Sequence, residues 1–319
     1  MSKSLRTFTL RGPCPGRRSP SMVISALGFA AVLGLTTLTV AGFTGVPVAL
    51  ADEAPPGAVI FEDDFSGPAG SPVDSSKWMQ DPGLGENNEL QEYIAGTDNV
   101  ALDGDGHLAI TAKMNDGTDL SDPQVGDFTS GRINTSQSFN QTYGHFEARI
   151  KVPTGQGIWP AFWMLGSDFP EVGWPQTGEI DTMEHLGGEP GTVHGTIHGP
   201  GYSGDDGPSS SFTLPDGQSL SDEFHTYAVD WSPNLITWTL DGQTYAARTP
   251  MDIGTDNQWV FDHPFFMILN VAVGGNFPGN PDPSTSFPQT MLVDYVRVTS
   301  NDGGTDCPMN GGFGSASVC

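Results

Sequence analysis

Apolar and polar positions along this 319-residue chain alternate with the period of β-strands, and helix-length amphipathic patterns are nearly absent. From His145 to Val152 the residues Phe146, Ala148, Ile150 and Val152 fall on one face. Ile236, Trp238 and Leu240 do the same, and Asp241-Gly242 then turns the chain into Gln243 to Ala247, the strongest hairpin signal present. Phe265 to Val273 runs apolar, as expected of a strand covered on both faces. Gly, Pro, Asn and Asp punctuate these segments at short intervals, and no internal repeat is visible. The pattern predicts an all-β sandwich forming one domain over residues 58–299.

One segment departs from strict alternation. Glu179-Ile180-Asp181-Thr182-Met183-Glu184 concentrates three carboxylates in an apolar stretch. Period two places Glu179 and Asp181 on one face but sends Glu184, five positions on, to the other. A β-bulge at Thr182-Met183 would return Glu184 to the face of Glu179. A helix serves less well, because only Asp181 with Glu184 or His185 would then be neighbours, and Gly187 to Gly191 stops a helix promptly. Two carboxylates roughly 5–5.5 Å apart are what retaining glycoside hydrolysis uses, and a third beside them sets which one keeps its proton. The competing reading is a row of solvated charges on an open strand face.

Aromatic residues favour the first reading. Strand alternation puts Trp159 and Trp163 on one face, and Trp174 stands five residues before Glu179. Exposed indoles beside carboxylates suit the apolar faces of sugar rings, although each could equally fill the core; Trp231 and Trp238 are expected in the core. His194 and His198 share a strand face. A hydrogen-bonding role toward substrate is favoured there over a metal pair, since the sequence supplies no third ligand at recognisable spacing.

Charge removes whole classes of partner. The formal net charge is −26, with 12 basic against 38 acidic residues. Lys3, Arg6, Arg11, Arg17 and Arg18 precede residue 51, so the remainder carries seven basic groups against all 38 acidic ones. Such a surface repels nucleic acid and anionic membrane but is indifferent to a neutral polymer. The amino terminus has a basic region, an apolar run from Met22 to about Val48 and then Ala49-Leu50-Ala51, which reads as a secretory signal over 1–51, followed by a 52–57 linker. A retained anchor is the rival reading. Cys14 falls in the signal, leaving Cys307 and Cys319 to pair as a disulfide in the Gly-rich 300–319 tail of a secreted, extracellular protein.

Several segments taken together resemble the laminarinase-like branch of glycoside hydrolase family 16. They are Phe61 to Phe65, Glu86 to Tyr93, Tyr143 to Arg149, Gly157 to Leu165, Gly178 to His185, Val193 to Gly204 and Ile268 to Gly279, in the family's order. The resemblance implies a β-jelly-roll of two antiparallel sheets with a concave substrate cleft. It also implies endo-β-1,3-glucanase activity, extending to mixed β-1,3-1,4-glucans. Glu179 becomes the expected nucleophile, Glu184 the general acid/base and Asp181 the residue tuning their protonation. Asn88, Arg132, Trp159, Trp163, Trp174, His198 and Asn270 match positions lining the sugar cleft. His198 stands where some relatives have tyrosine, and Gly274-Gly275-Asn276-Phe277 replaces a frequent Gly-Gly-Asn-Trp.

No cofactor is implied for catalysis. A structural calcium is, through carbonyls of Asp64 and Gly104 and the side chain of Asp294. The expected partner is β-glucan, met by a monomer. A β-glucan-binding protein without activity and a same-family enzyme acting on another polysaccharide such as agarose are the alternatives; a pure binder has no need of the three carboxylates.

Overall fold

The Gly144–Lys151 strand buries Phe146, Ala148 and Ile150 completely while its intervening residues stay half-buried, the alternation expected of a sheet with one face in a core. This and 17 further strands, described in a computed structural model over residues 57–301, form two sheets. The signal expected over 1–51, nearly all of the linker and the Cys307–Cys319 pair lie outside the described residues.

The seven-stranded sheet has the spatial order Ser209–Thr213, Thr192–His198, Glu179–His185, Ile158–Gly166, Phe265–Val273, Arg132–Asn134, Met79–Gln80. The eleven-stranded sheet is centred on Gly144–Lys151 between His225–Ser232 and Gln289–Thr299. Pairing among the described strands is antiparallel except between Gln91–Tyr93 and Phe128–Ser130. Leu235–Leu240 and Gln243–Arg248 form the expected hairpin, with Asp241 at φ 50° and Gly242 at φ 75°, the left-handed pair a two-residue turn needs.

Between the sheets lies one core. Phe146, Ile150, Trp231 and Trp238 on one side meet Phe162, Met164, Ile180, Met183 and Leu269 on the other, all fully buried. Each such side chain contributes about 1.5–3 kcal/mol by leaving water, so the strands that carry the site are held mainly by this packing. Phe265–Val273 is buried at every position because a second cluster, Leu165, Phe266 and Ile268 with Trp163 against them, covers its other face. A single four-residue helix, Phe169–Val172, occurs among the described residues. The architecture is the all-β sandwich that the alternation implied, with the two-sheet jelly-roll form that the resemblance implied.

Candidate active site

The Glu179–His185 strand carries a bulge where its sequence requires one. Asp181 pairs with Thr196 and Glu184 with His194, so Thr182 and Met183 together oppose Gly195. On the other flank Asp181 pairs with Trp163 and Met183 with Phe162, leaving Thr182 as the extra residue. The partner strands therefore take four steps, from His198 to His194 and from Leu165 to Ala161, where this strand takes five from Glu179 to Glu184. An even count restores the face. Ile180 and Met183 enter the core, while Glu179, Asp181 and Glu184 emerge together on the opposite side.

Each glutamate is held by an indole. Trp174 Nε1 donates to Glu179 Oε2 at 2.9 Å, and Trp159 Nε1 donates to Glu184 Oε1 at 3.0 Å. Asp181, only 3% exposed, sits between them with its Oδ2 3.2 Å from His198 Nε2, which is also 3.7 Å from Glu179 Oε1. These are not solvated surface charges. Burial pushes the Glu184 carboxyl up to about 8 and the nearby Asp181 adds to it, against the lowering effect of His198, Trp159 and Thr196. Asp181 is pushed up to about 7 by burial, opposed by its hydrogen bond with Glu179. Glu179 is raised well above the ordinary range by burial, then by Asp181 and Glu184. Three carboxylates this close and this dry cannot all ionise near neutrality, so the cluster holds protons.

The other expected substrate residues adjoin this trio. Trp159 and Trp163 are half-buried beside the carboxylate face rather than in the core, and Trp174 is 45% exposed with its ring 6.1 Å from that of His198. Trp163 Nε1 donates to Asn270 Oδ1 at 2.8 Å, and Asn270 pairs across the sheet with Arg132. Arg132 forms an ion pair with Asp81 at 2.8 Å and lies over the Tyr93 ring. Asn88, exposed on a loop, donates to Asn276 Oδ1 at 2.8 Å. Phe277, 43% exposed, stands edge-on to Trp159 and to His194.

The Glycosyl hydrolases family 16 profile matches residues 87–297. The chain belongs to this family. It is 38% identical over 265 residues to a glucan endo-1,3-beta-glucosidase A1 of Niallia circulans, covering 75% of this chain and 37% of that protein. A beta-glucanase of Rhodothermus marinus is 38% identical over 261 residues, covering 77% of this chain and 86% of that one. The endo-beta-1,3-glucanase structure from Pyrococcus furiosus superimposes with a TM-score of 0.69 at 44% identity, covering 76% of this chain and 94% of that one. The chain thus spans well under half of the Niallia protein and most of the Rhodothermus one.

Family membership makes this chain a glycoside hydrolase, one that needs no cofactor for catalysis. The donors expected to hold calcium do not fit the ion as they stand. Asp294, the one expected side-chain ligand, is paired with the Arg149 guanidinium. A hard divalent ion wants free anionic oxygens, and here a cation already occupies the one side-chain ligand.

Three features of this family 16 site escaped the sequence reading. Trp238, expected only as core, also donates its indole N–H to the Asp181 carbonyl. Gly195 makes room for it, since a Cβ there would lie 2.5 Å from Trp238 Cδ1 and 2.7 Å from Tyr245 Oη. Glu89, Gln91 and Tyr93 form a buried polar chain leading to Asn270. Their i, i+2, i+4 spacing was the available signal, as was a glycine in mid-strand opposite the bulge.

Proposed function

We propose that this chain is a secreted endo-β-1,3-glucanase that cleaves β-1,3-glucan with retention of configuration, and that Glu179, Asp181 and Glu184 do the chemistry. The observation that carries this reading is the bulge, which gathers the three carboxylates on one face with a tryptophan N–H on each glutamate. Glu184, raised to about 8, carries its proton at neutral pH and gives it to the glycosidic oxygen as the bond breaks. Glu179 attacks the anomeric carbon as its anion. The Trp174 N–H and the nearby His198 favour that anion, and Asp181, which accepts the hydrogen bond from Glu179, is placed to take the proton that Glu179 gives up. Water then attacks the glycosyl-enzyme while Glu184, now a base, takes its proton.

Trp159, Trp163, Trp174, Asn88, Arg132, His198 and Asn270 are proposed to hold the sugar. Specificity for β-1,3 linkages, with mixed β-1,3-1,4-glucan as a secondary substrate, is supported by the activities named for the relatives. Extracellular placement rests on the amino-terminal pattern, and the chain is read as a monomer. Calcium is left outside the reaction, because an ion at Asp294 would have to displace Arg149. A binding protein without activity is disfavoured, since binding sugar would not require three buried carboxylates sharing protons.

The test is Glu179→Ala assayed on laminarin. Hydrolysis should vanish while oligosaccharide binding persists, and an undiminished rate would sink the assignment. Early products of the wild type should show the β anomer by NMR; α products would exclude retention. Digestion of laminarin, lichenan, agarose and xyloglucan side by side fixes the linkage, and cleavage of agarose alone would overturn the glucan specificity.

A further inference from the structure

Among the described residues, one group of three potential metal ligands brings its donor atoms within 4.8 Å of one another: Glu179, Asp181 and His198. His198 Nε2 lies 3.2 Å from Asp181 Oδ2 and 3.7 Å from Glu179 Oε1. A tetrahedral ion with bonds of about 2.0–2.1 Å sets its ligands roughly 3.3 Å apart, so two edges of the figure are nearly in place and a small rotation of Glu179 closes the third. Asp181 is only 3% exposed, and its Oδ2, although 3.2 Å from His198 Nε2, accepts no aligned hydrogen bond. That orphaned oxygen is the observation that lifts the group above a mere cluster of acids.

We propose that this triad is a zinc-binding site, and that zinc bound there blocks the chain's own hydrolase chemistry. The donor set selects the ion. One imidazole nitrogen and two carboxylates, with a fourth position open toward substrate, match a late first-row divalent ion. Calcium, which takes six to eight oxygens at about 2.3–2.6 Å, is excluded by the nitrogen and by the small number of donors. An ion here would hold both the group proposed to attack the sugar and the one proposed to tune it, so bound zinc and productive substrate exclude one another. The partner of His198 is the pair of carboxylates across the strand, not His194, whose Nε2 instead lies 3.5 Å from Glu189.

Zinc chloride titrated into the full chain by calorimetry, without substrate, tests binding separately from any question of what polymer is cut. One site should vanish, or weaken at least tenfold, in His198→Gln, while any zinc taken by Cys14, Cys307 or Cys319 is common to both proteins and cancels in the comparison. Cobalt(II) should give a tetrahedral visible spectrum in the wild type that is lost in His198→Gln, and circular dichroism confirms that the variant is folded. In laminarin assays zinc should raise the apparent KM and EDTA should restore it. Equal zinc affinity in the two proteins, an octahedral cobalt spectrum, or full hydrolysis at saturating zinc would each overturn the proposal. If zinc binds as described and laminarin is not cut by the metal-free protein, the glucanase reading fails and the metal site stands.

Discussion

Trp238, on the eleven-stranded sheet, reaches across the core and donates its indole N–H to the backbone carbonyl of Asp181 at 2.8 Å. That carbonyl stands at the start of the bulge, and Gly195 opposite leaves the space the indole occupies. The core thereby fixes the geometry of the carboxylates on the far side of the sheet. Trp238→Phe retains most of the packing but orphans a buried carbonyl, which should cost about 1–3 kcal/mol in denaturant unfolding. Because the bulge positions Glu184, kcat should fall on the order of tenfold or more with a smaller change in KM. Gly195→Ala should do the same from the other side, by overpacking against Trp238 and Tyr245 at about 1–3 kcal/mol. Variants as stable and as active as wild type would show that the bulge holds itself.

Stability should fall as pH rises, and Glu184 is the reason. Its folded-state carboxyl titrates near 8, against an ordinary value of 4.5. Below about pH 4.5 both folded and unfolded chains carry the proton and nothing is lost; between 4.5 and 8 the folded chain binds more protons, so raising pH favours unfolding. Asp181, raised to about 7, acts in the same direction from its ordinary 3.8. Glu184→Gln removes one of these burdens. Its melting temperature relative to wild type should be unchanged at pH 4.5, rise through neutrality by roughly a few degrees and level off above pH 8. A difference that does not vary with pH would place the raised carboxyl elsewhere.

The sandwich was legible because its strands alternate cleanly: the buried row Phe146, Ala148, Ile150 is written in the sequence as plainly as in the structure. The bulge was legible too, because two long acids five apart make sense on a strand only if one residue is extra. What stayed hidden is what depends on long-range register. That Trp238 would find Asp181, 57 positions away, is a matter of how two sheets stack, and an indole in a core pattern carries no sign of where its N–H points. The roles of Trp159 and Trp163 were undecided by alternation for the same reason, since the Phe265–Val273 strand beside theirs in the sheet is covered on both faces. Asp294 was matched to calcium by position, while its actual partner, Arg149, comes from a neighbouring strand.

The hydrogen bond from Trp159 to Glu184 gives a prediction with a definite sign. That bond lowers the Glu184 carboxyl from where burial alone would put it. In Trp159→Phe the carboxyl should rise further, so the alkaline limb of kcat/KM, which reports loss of the catalytic proton, should move to higher pH. The maximum should fall as well, because the ring also faces Phe277 beside the proposed sugar site. A profile measured on laminarin from pH 5 to 10 decides it, and an alkaline limb shifted downward would remove Trp159 from any role in holding that proton.

Glu89 ends two hydrogen-bond relays whose directions are fixed by groups that can only donate. Trp163 Nε1 donates to Asn270 Oδ1, which obliges the Asn270 amide to donate to Tyr93 Oη at 3.1 Å and the Tyr93 hydroxyl to donate to Glu89 Oε2 at 3.3 Å. The Val273 N–H likewise donates to Gln91 Oε1, whose amide donates to Glu89 Oε2 at 2.6 Å. Burial raises the Glu89 carboxyl, while Gln91, Arg132 and Tyr93 hold it down. Through Tyr93 it sets the orientation of Asn270 and Trp163, residues assigned to the sugar and not to bond cleavage. Glu89→Leu should therefore raise KM several-fold more than it lowers kcat, at a stability loss of about 1–3 kcal/mol, and Glu89→Gln, which still accepts at one oxygen, should recover part of the KM. Tyr93→Phe breaks the first relay alone, so combining it with Glu89→Leu should cost less in KM than the two changes added. Equal losses in kcat and KM for all three, or strict additivity, would show that Glu89 supports the fold without orienting the site.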